Sequence, residues 1–369
     1  MTVSVAFDDI THARMYPDLV RLSDNLVGAV FSLMKLIPAR HILRTALRRG
    51  ELEPGTTIVE TTSGTFGLAL AMESAILDRK LVVVSDPVLG PGLRRRLENL
   101  GATVDIVSTP SPTGGFQQPR LDRVAQLRRE SGPTFCPEQY SNPTNPDSYA
   151  PVARWIAEQL GDVDCVVGPV GSGGSMCGTV RALRADGRCA TAVGVDTHRS
   201  TLFGQPDGHR QLRGLGNSLI PPNLDHTVFD QVHWCPPEVA YDVTRRAHRE
   251  HALYQGPTSG AALAAASWWA GEHPDRTCVV LLPDDGYRYD ETVYDDEWLD
   301  AQGMWPLAAQ TNPREVDLPV DAVEGWCWMR WGRRSLGEVL AAADGRHPAK
   351  GVPHADHGSP SEDQTSRLR

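Results

Sequence analysis

The residues that could do chemistry in this chain are few and unevenly placed. Three lysines occur in 369 positions, Lys35, Lys80 and Lys350. Lys80 ends a polar LDRK and Lys350 lies in a polar tail, whereas Lys35 stands in the apolar stretch LVGAVFSLMKLIPARHIL (26–43). Apolar surroundings disfavour an ammonium and leave a free amine able to act as a nucleophile. A second kind of chemistry lies in CVVGPVGSGGSMCGTVRAL: a strand, the turn Gly171-Ser172-Gly173-Gly174-Ser175, then a helix. Backbone N–H groups at a helix start, unhindered by side chains and flanked by two hydroxyls, form an anion cradle suited to phosphate. Met176 stands where the third glycine of a dinucleotide fingerprint belongs, and no Gly-Lys-Ser/Thr follows, so neither nucleotide motif is present.

Two other junctions repeat the device. VETTSGTFGLAL sets Thr61, Thr62, Ser63, Gly64 and Thr65 at a helix start, with enough N–H groups and hydroxyls to hold a carboxylate. YQGPTSGAALAAA does the same with Thr258 and Ser259. Taken singly, each is a turn or an N-cap. Three in one chain point to a ligand with several polar handles at the carboxyl ends of strands.

Such junctions need a frame. TTIVETT (56–62), KLVVVSDP (80–87), TVDIVST (103–109), VDCVVGPVG (163–171), TAVGVDTH (191–198) and TCVVLLPDDG (277–286) read as buried strands. Helical spacing fills the gaps between them, in GTFGLALAMESAILDRK, GPGLRRRLENLG, DRVAQLRRE, APVARWIAEQLG and SGAALAAASWWAGE. The alternation predicts an α/β fold with mostly parallel sheets. SPTGGFQQPR (111–120) reads as a loop. After about residue 300 the alternation stops; WCWMRWGRRSLGEVLAAAD predicts an added helix, and 346–369 reads as a disordered tail. The length allows two domains. A net charge of −10 argues against a nucleic-acid partner. No apolar run reaches a membrane span, and no export signal is evident, so a cytoplasmic protein is expected. Seven scattered cysteines without a CxxC read as reduced thiols rather than a metal site.

Together these segments resemble the fold-type II pyridoxal phosphate enzymes, and within them the cysteine synthase/cystathionine β-synthase family, over residues 17–299. TSGTFG (62–67) is similar to that family's substrate-carboxylate loop and EQYSNPTNP (138–146) to its Gln-Phe-x-Asn-Pro-x-Asn segment. GSGGS resembles its phosphate loop, and GLGNSLIP (214–221) its mobile Gly-Ile-Gly loop. GPTSGAA (256–262) resembles the segment that meets the pyridine nitrogen, and LLPDDGYRYDETVY (281–294) its closing strand. The resemblance implies two α/β domains with pyridoxal 5′-phosphate in the cleft between them. The larger comprises 1–45 with 148–300 and the smaller, mobile one 46–147; 301–345 forms a C-terminal extension. A homodimer is expected by analogy.

Residue by residue, the resemblance makes Lys35 the Schiff-base lysine, which also moves the substrate's α-proton. It puts the cofactor phosphate on Gly171, Ser172, Gly173, Gly174 and Ser175, and its pyridine nitrogen on Thr258. Thr62, Ser63, Gly64, Thr65 and Gln139 would hold the substrate carboxylate, with Gly214 in the mobile loop. The chain departs from the family where Leu36-Ile37 follow the lysine, and where Thr65 replaces an asparagine that touches the cofactor ring. A neutral hydroxyl at the pyridine nitrogen favours β-elimination over transamination, so the expected reaction is β-replacement through an aminoacrylate. Arg213 resembles the arginine of phosphoserine-dependent members, and its fork suits a phosphate, so O-phospho-L-serine is favoured as donor over O-acetyl-L-serine.

The nucleophile is read as sulfur, giving cysteine or S-sulfocysteine. The alternatives are an amine nucleophile giving a 2,3-diaminopropionate precursor, a serine/threonine dehydratase or ammonia-lyase, and a non-catalytic partner-binding homologue. SPTGGFQQPR and YDDEW look somewhat like the amine-using branch. His248 and His251 lack an evident third metal ligand. The acidic run 284–300 reads as a solvated chain end, and Trp326, Trp328 and Trp331 as packing of the extension on the body or on a second subunit.

Overall fold

The computed structural model describes residues 6–344 except 63, 112–114, 213, 306 and 308–309. Ser63 and Arg213, and the tail from residue 346, therefore lie outside the described residues. Two sheets organise the chain. The larger contains β1 (Asp18–Arg21), β2 (Leu26–Val30), β7 (Cys165–Pro169), β8 (Thr191–Asp196), β9 (Gln231–Trp234), β10 (Cys278–Leu282), β11 (Arg314–Glu315) and β12 (Cys327–Arg330). The smaller contains β3 (Thr57–Thr61), β4 (Leu81–Ser85), β5 (Thr103–Ile106) and β6 (Thr134–Phe135). The order is β1-β2-β10-β7-β8-β9-β12-β11 in the larger and β5-β4-β3-β6 in the smaller. All pairs are parallel except β1 with β2 and β12 with β9.

The apolar runs make strands because both faces of each sheet are covered. Alternate residues point to opposite faces: Val166 and Val279 enter one core cluster, Val167 and Val280 another. The first cluster packs against α7 (Ala150–Leu160) and α8 (Gly174–Ala185), the second against α9 (Pro237–His251) and α10 (Pro257–Glu272). In the smaller sheet Ile58 and Val83 face α2 (Leu36–Arg48), α3 (Thr65–Ile76) and α4 (Pro91–Asn99). Val59 and Val84 face the other way, onto Val124 of α5 (Gln117–Glu130).

Two sequence expectations are corrected. The run 111–120 is not all loop, since α5 begins at Gln117 and runs through Arg120. Pro119 is tolerated because the first-turn N–H groups have no helical acceptor. The stretch after Trp326 is not one helix. It forms β12, which adds antiparallel to the β9 edge, before a helix at Leu336–Asp344. The tryptophans pack on the body of this chain. The Trp326 indole N–H donates to His233 Nδ1 at 3.2 Å, and Trp331 meets Phe203 edge to face at 5.2 Å. Burial without a charge partner holds His233 neutral, its pKa pushed down to about 3.

A buried ionic knot fixes the two helices that lead out of the glycine- and lysine-bearing junctions. Glu73 of α3 is fully buried and accepts from Arg40 of α2 at 3.2 Å and from the Thr11 hydroxyl at 2.6 Å, with Arg44 of α2 on its other oxygen. Asp9 closes the knot on Arg40 at 2.9 Å. Because α2 starts after Lys35 and α3 starts at Thr65, this knot sets the distance between those two residues. Removing Glu73 empties a fully buried position and leaves two arginines to share Asp9. Glu73→Ala is therefore expected to destabilise the fold by about 3–5 kcal/mol in chemical denaturation, and a loss below about 1 kcal/mol would contradict this role for the knot.

Candidate active site

One cavity of about 340 Å³ opens where the carboxyl ends of β3, β7 and β10 face each other, within the size range of small-molecule sites. Lys35, Thr62, Gly64, Thr65, Gln139, Gly171, Ser172, Ser175, Gly214 and Thr258 all line it. The structure thus gathers residues from six stretches of sequence.

Lys35 is the residue before α2, placed by a turn in which Met34 N–H donates to Pro283 O at 2.8 Å beyond the end of β10. Its ammonium has no ion-pair or hydrogen-bond partner among the described residues. Desolvation by burial pushes its pKa down to about 8. The adjoining face is the start of α8. Gly173 adopts φ 81° as N-cap, a left-handed conformation, and a Cβ there would lie 2.7 Å from Leu224 Cα. A Cβ at Gly174 would lie 2.3 Å from Asn145 Oδ1. Positions 173 and 174 therefore tolerate only glycine, and the turn leaves its N–H groups open beside the Ser172 and Ser175 hydroxyls. Thr258 sits in the first turn of α10; its hydroxyl has no hydrogen-bond partner among the described residues.

The 62–65 junction is organised by the Thr62 hydroxyl, which accepts from Gly64 N–H at 3.2 Å. Gln139 is held from both sides. Its carbonyl accepts from Asn145 Nδ2 at 2.6 Å and Asn223 Nδ2 at 3.1 Å, and its N–H donates to Glu60 Oε2 at 3.3 Å. Glu60 also accepts from Thr61 N–H at 2.8 Å, and burial pushes its carboxyl up to about 7. Across the opening the Gly214–Gly216 loop is anchored by Gly216 N–H on Val170 O at 3.0 Å and Asn217 N–H on Ser200 Oγ at 3.1 Å. Tyr140 and Asn217, both in the cavity lining, come within interacting distance of each other.

The cavity also holds residues that sequence reasoning passed over. Gln117 and Arg120, from the first turns of α5, line it. Arg120 stands 3.1 Å from Asp86, yet its Nε and Gln117 Nε2 have no hydrogen-bond partner among the described residues. Pro119 had disguised this helix start as a loop. Arg210 and Arg288 add positive charge to the lining. Asp284, assigned above to a solvated chain end, is instead buried at the cavity wall. Its position directly beyond the apolar strand β10 was the signal available in the sequence.

These residues fit pyridoxal phosphate: an amine with a lowered pKa for its aldehyde, a bare glycine turn for its phosphate, and an unpartnered hydroxyl for its ring. The free-amine fraction should govern capture of the added cofactor. Its rate on cofactor-free protein is expected to rise with pH and level off above about 8, followed by absorbance. A rate still climbing tenfold per pH unit between pH 9 and 10 would mean an unshifted lysine.

Comparison with known proteins agrees with the geometry. The model of the family described as pyridoxal-phosphate dependent enzyme matches residues 34–284. The N-(2-amino-2-carboxyethyl)-L-glutamate synthase of Cupriavidus metallidurans is 33% identical over 296 residues, covering 76% of this chain and 87% of that protein. The same-named protein of Ralstonia nicotianae is 33% identical over 298 residues, with the same coverages of 76% and 87%. Among solved structures, O-acetyl serine sulfhydrylase isoform 3 from Entamoeba histolytica superposes with a TM-score of 0.73 at 23% identity, covering 80% of this chain and 93% of that one. A hydrogen sulfide-producing enzyme from Fusobacterium nucleatum gives 0.71 at 23% identity, covering 77% and 100%. Both structures share the fold. With Lys35 lining this cavity and a family match spanning most of its length, this chain belongs to the pyridoxal-phosphate dependent enzymes.

Proposed function

We propose that the enzyme is a β-replacement transferase that joins the three-carbon unit of an O-activated L-serine to the amine of L-glutamate. The observation carrying this reading is the pair of relatives at 33% identity, whose named product has a 2-amino-2-carboxyethyl group on the glutamate nitrogen. Such a product requires a new bond between that nitrogen and the donor's Cβ. The sulfur nucleophile favoured from sequence has weaker support, because the sulfur-handling neighbours are 23% identical and speak for the fold alone.

Bound pyridoxal phosphate supplies the electron sink that lets the donor's α-proton and β-substituent depart. In this reading Lys35 Nζ takes the α-proton and later returns it, its lowered pKa matching the task. Thr62, Ser63, Gly64, Thr65 and Gln139 hold the donor carboxylate. The 171–175 turn would hold the cofactor phosphate, and the Thr258 hydroxyl would serve its ring nitrogen. Closure of the smaller unit over the cavity keeps water from the reacting carbons. The proposal carries a homodimer with it by family analogy.

O-phospho-L-serine is the proposed donor. Arg213 carried that reading from sequence and lies outside the described residues. Arg120 and Gln117 give it separate support: unpartnered N–H donors at a helix start favour a dianionic leaving group. Enzyme given O-phosphoserine and L-glutamate is expected to release phosphate and form N-(2-amino-2-carboxyethyl)-L-glutamate, identified by mass. Product formed only with sulfide, or pyruvate formed without any nucleophile, would contradict the reading. Arg120→Ala is expected to raise the KM for phosphoserine at least about tenfold more than for acetylserine, a charge-assisted hydrogen bond's worth; equal effects on both donors would remove Arg120 from the phosphate.

A further inference from the structure

We propose that Asp284 receives the ammonium of the incoming nucleophile and takes the proton that this nitrogen must shed, an inference that rests on the amine reading above. Among the described residues lining the cavity, Asp284 is the single carboxylate, against Lys35, Arg120, Arg210 and Arg288. A site serving only anions has no use for it. Sulfide or a thiolate arrives with its lone pair exposed and negatively charged, so a carboxylate in the wall repels it. An amino acid's amine arrives as an ammonium at neutral pH and has no lone pair until a base removes one proton. A lone acid among cations therefore favours the amine over sulfur.

The local geometry leaves the group free for this work. Asp284 follows β10 by two residues and is 7% exposed. Its Oδ2 accepts from the Tyr289 hydroxyl at 2.9 Å, while its buried Oδ1 has no hydrogen-bond partner among the described residues. The room it occupies is made by a glycine, since a Cβ at Gly256 would come within 2.5 Å of Oδ1. The backbone bridge between Leu33 and Asp284 fixes it beside the segment that bears Lys35. The charged and titratable groups that act on it are Tyr289, Arg288 and Asp285, and Lys35 lines the same cavity. Burial pushes its carboxyl up to about 6, with the Tyr289 hydroxyl and Arg288 pulling the other way. It is thus ionised at neutral pH yet more basic than an ordinary aspartate.

The proton balance closes with water as the final acceptor. Asp284 accepts one proton from R–NH3+, and the freed lone pair forms the N–C bond at the donor's Cβ. The product nitrogen keeps its two remaining protons as a secondary ammonium. Asp284 returns its proton to water, which restores the carboxylate. The Cβ–O bond has broken earlier, its electron pair leaving with phosphate.

The test uses the pyridoxal phosphate-loaded full chain as wild type, Asp284→Asn and Asp284→Ser. Three quantities are compared: phosphate released from O-phosphoserine alone, adduct formed on adding L-glutamate, and calorimetric affinities for L-glutamate and for glutarate, the same dicarboxylate without the ammonium. In both variants adduct formation should fall about 100-fold or more, the usual scale of a lost general base. That loss should exceed the loss in donor-only phosphate release at least tenfold, and the preference for glutamate over glutarate should vanish. Donor-only release reports that each variant is folded and loaded. Equal losses in the two half-reactions, or an intact glutamate preference, overturn the assignment. Wild-type enzyme that uses sulfide and never glutamate overturns the amine reading itself and Asp284's role with it, and shows this before any variant is made.

Discussion

The site depends on one electrostatic constraint: a primary amine must be kept in an apolar wall without a carboxylate to pair it. A salt bridge to Lys35 would hold the amine protonated and useless as a nucleophile. The fold meets the constraint by setting the half-buried lysine between the turn after β2 and the end of β10, among Leu33, Met34, Leu36 and Ile37, all nearly inaccessible. The acid that does reach the cavity, Asp284, spends one oxygen on Tyr289. The ionic knot of Asp9, Arg40, Arg44 and Glu73 lies further along α2, where it anchors the helix without touching the amine.

Around that amine the polar devices are mostly backbone. The 171–175 turn, the 62–65 junction and the start of α10 present N–H groups whose positions are set by strand ends rather than by flexible side chains. Backbone donors cost little further ordering when a ligand arrives, so they suit a permanently held cofactor. The side chains with unpartnered atoms, Gln117, Arg120 and Asp284, line the rest of the wall, where substrates that come and go would be read.

Much of this was legible from sequence because it is local. The central strands announce themselves as continuous apolar runs, since helices cover both faces, and each glycine turn carries its own spacing. The short strands toward one end of the larger sheet were not legible: β9 is QVHW and β12 is CWMR, each too short and too mixed for a period to emerge. The tryptophans of the extension gain meaning only when His233 is buried beneath them. Arg120 was hidden by a proline that belongs to a first helical turn, and Asp284 by the acidic residues that follow it. Both become site residues through folding alone, because what brings them to Lys35 is the approach of two sheets from distant parts of the chain. Roles for Ser63 and Arg213 rest on the family resemblance.

The central claim is that the amine at position 35 is where the cofactor is joined to the chain. Borohydride reduction of the cofactor-loaded protein, followed by proteolysis and mass spectrometry, tests it most directly. The account predicts the pyridoxyl mass on the peptide carrying Lys35 and no cofactor retention in Lys35→Ala. The same mass on Lys80 or Lys350, or a saturated protein whose lysines are all unmodified, would contradict it.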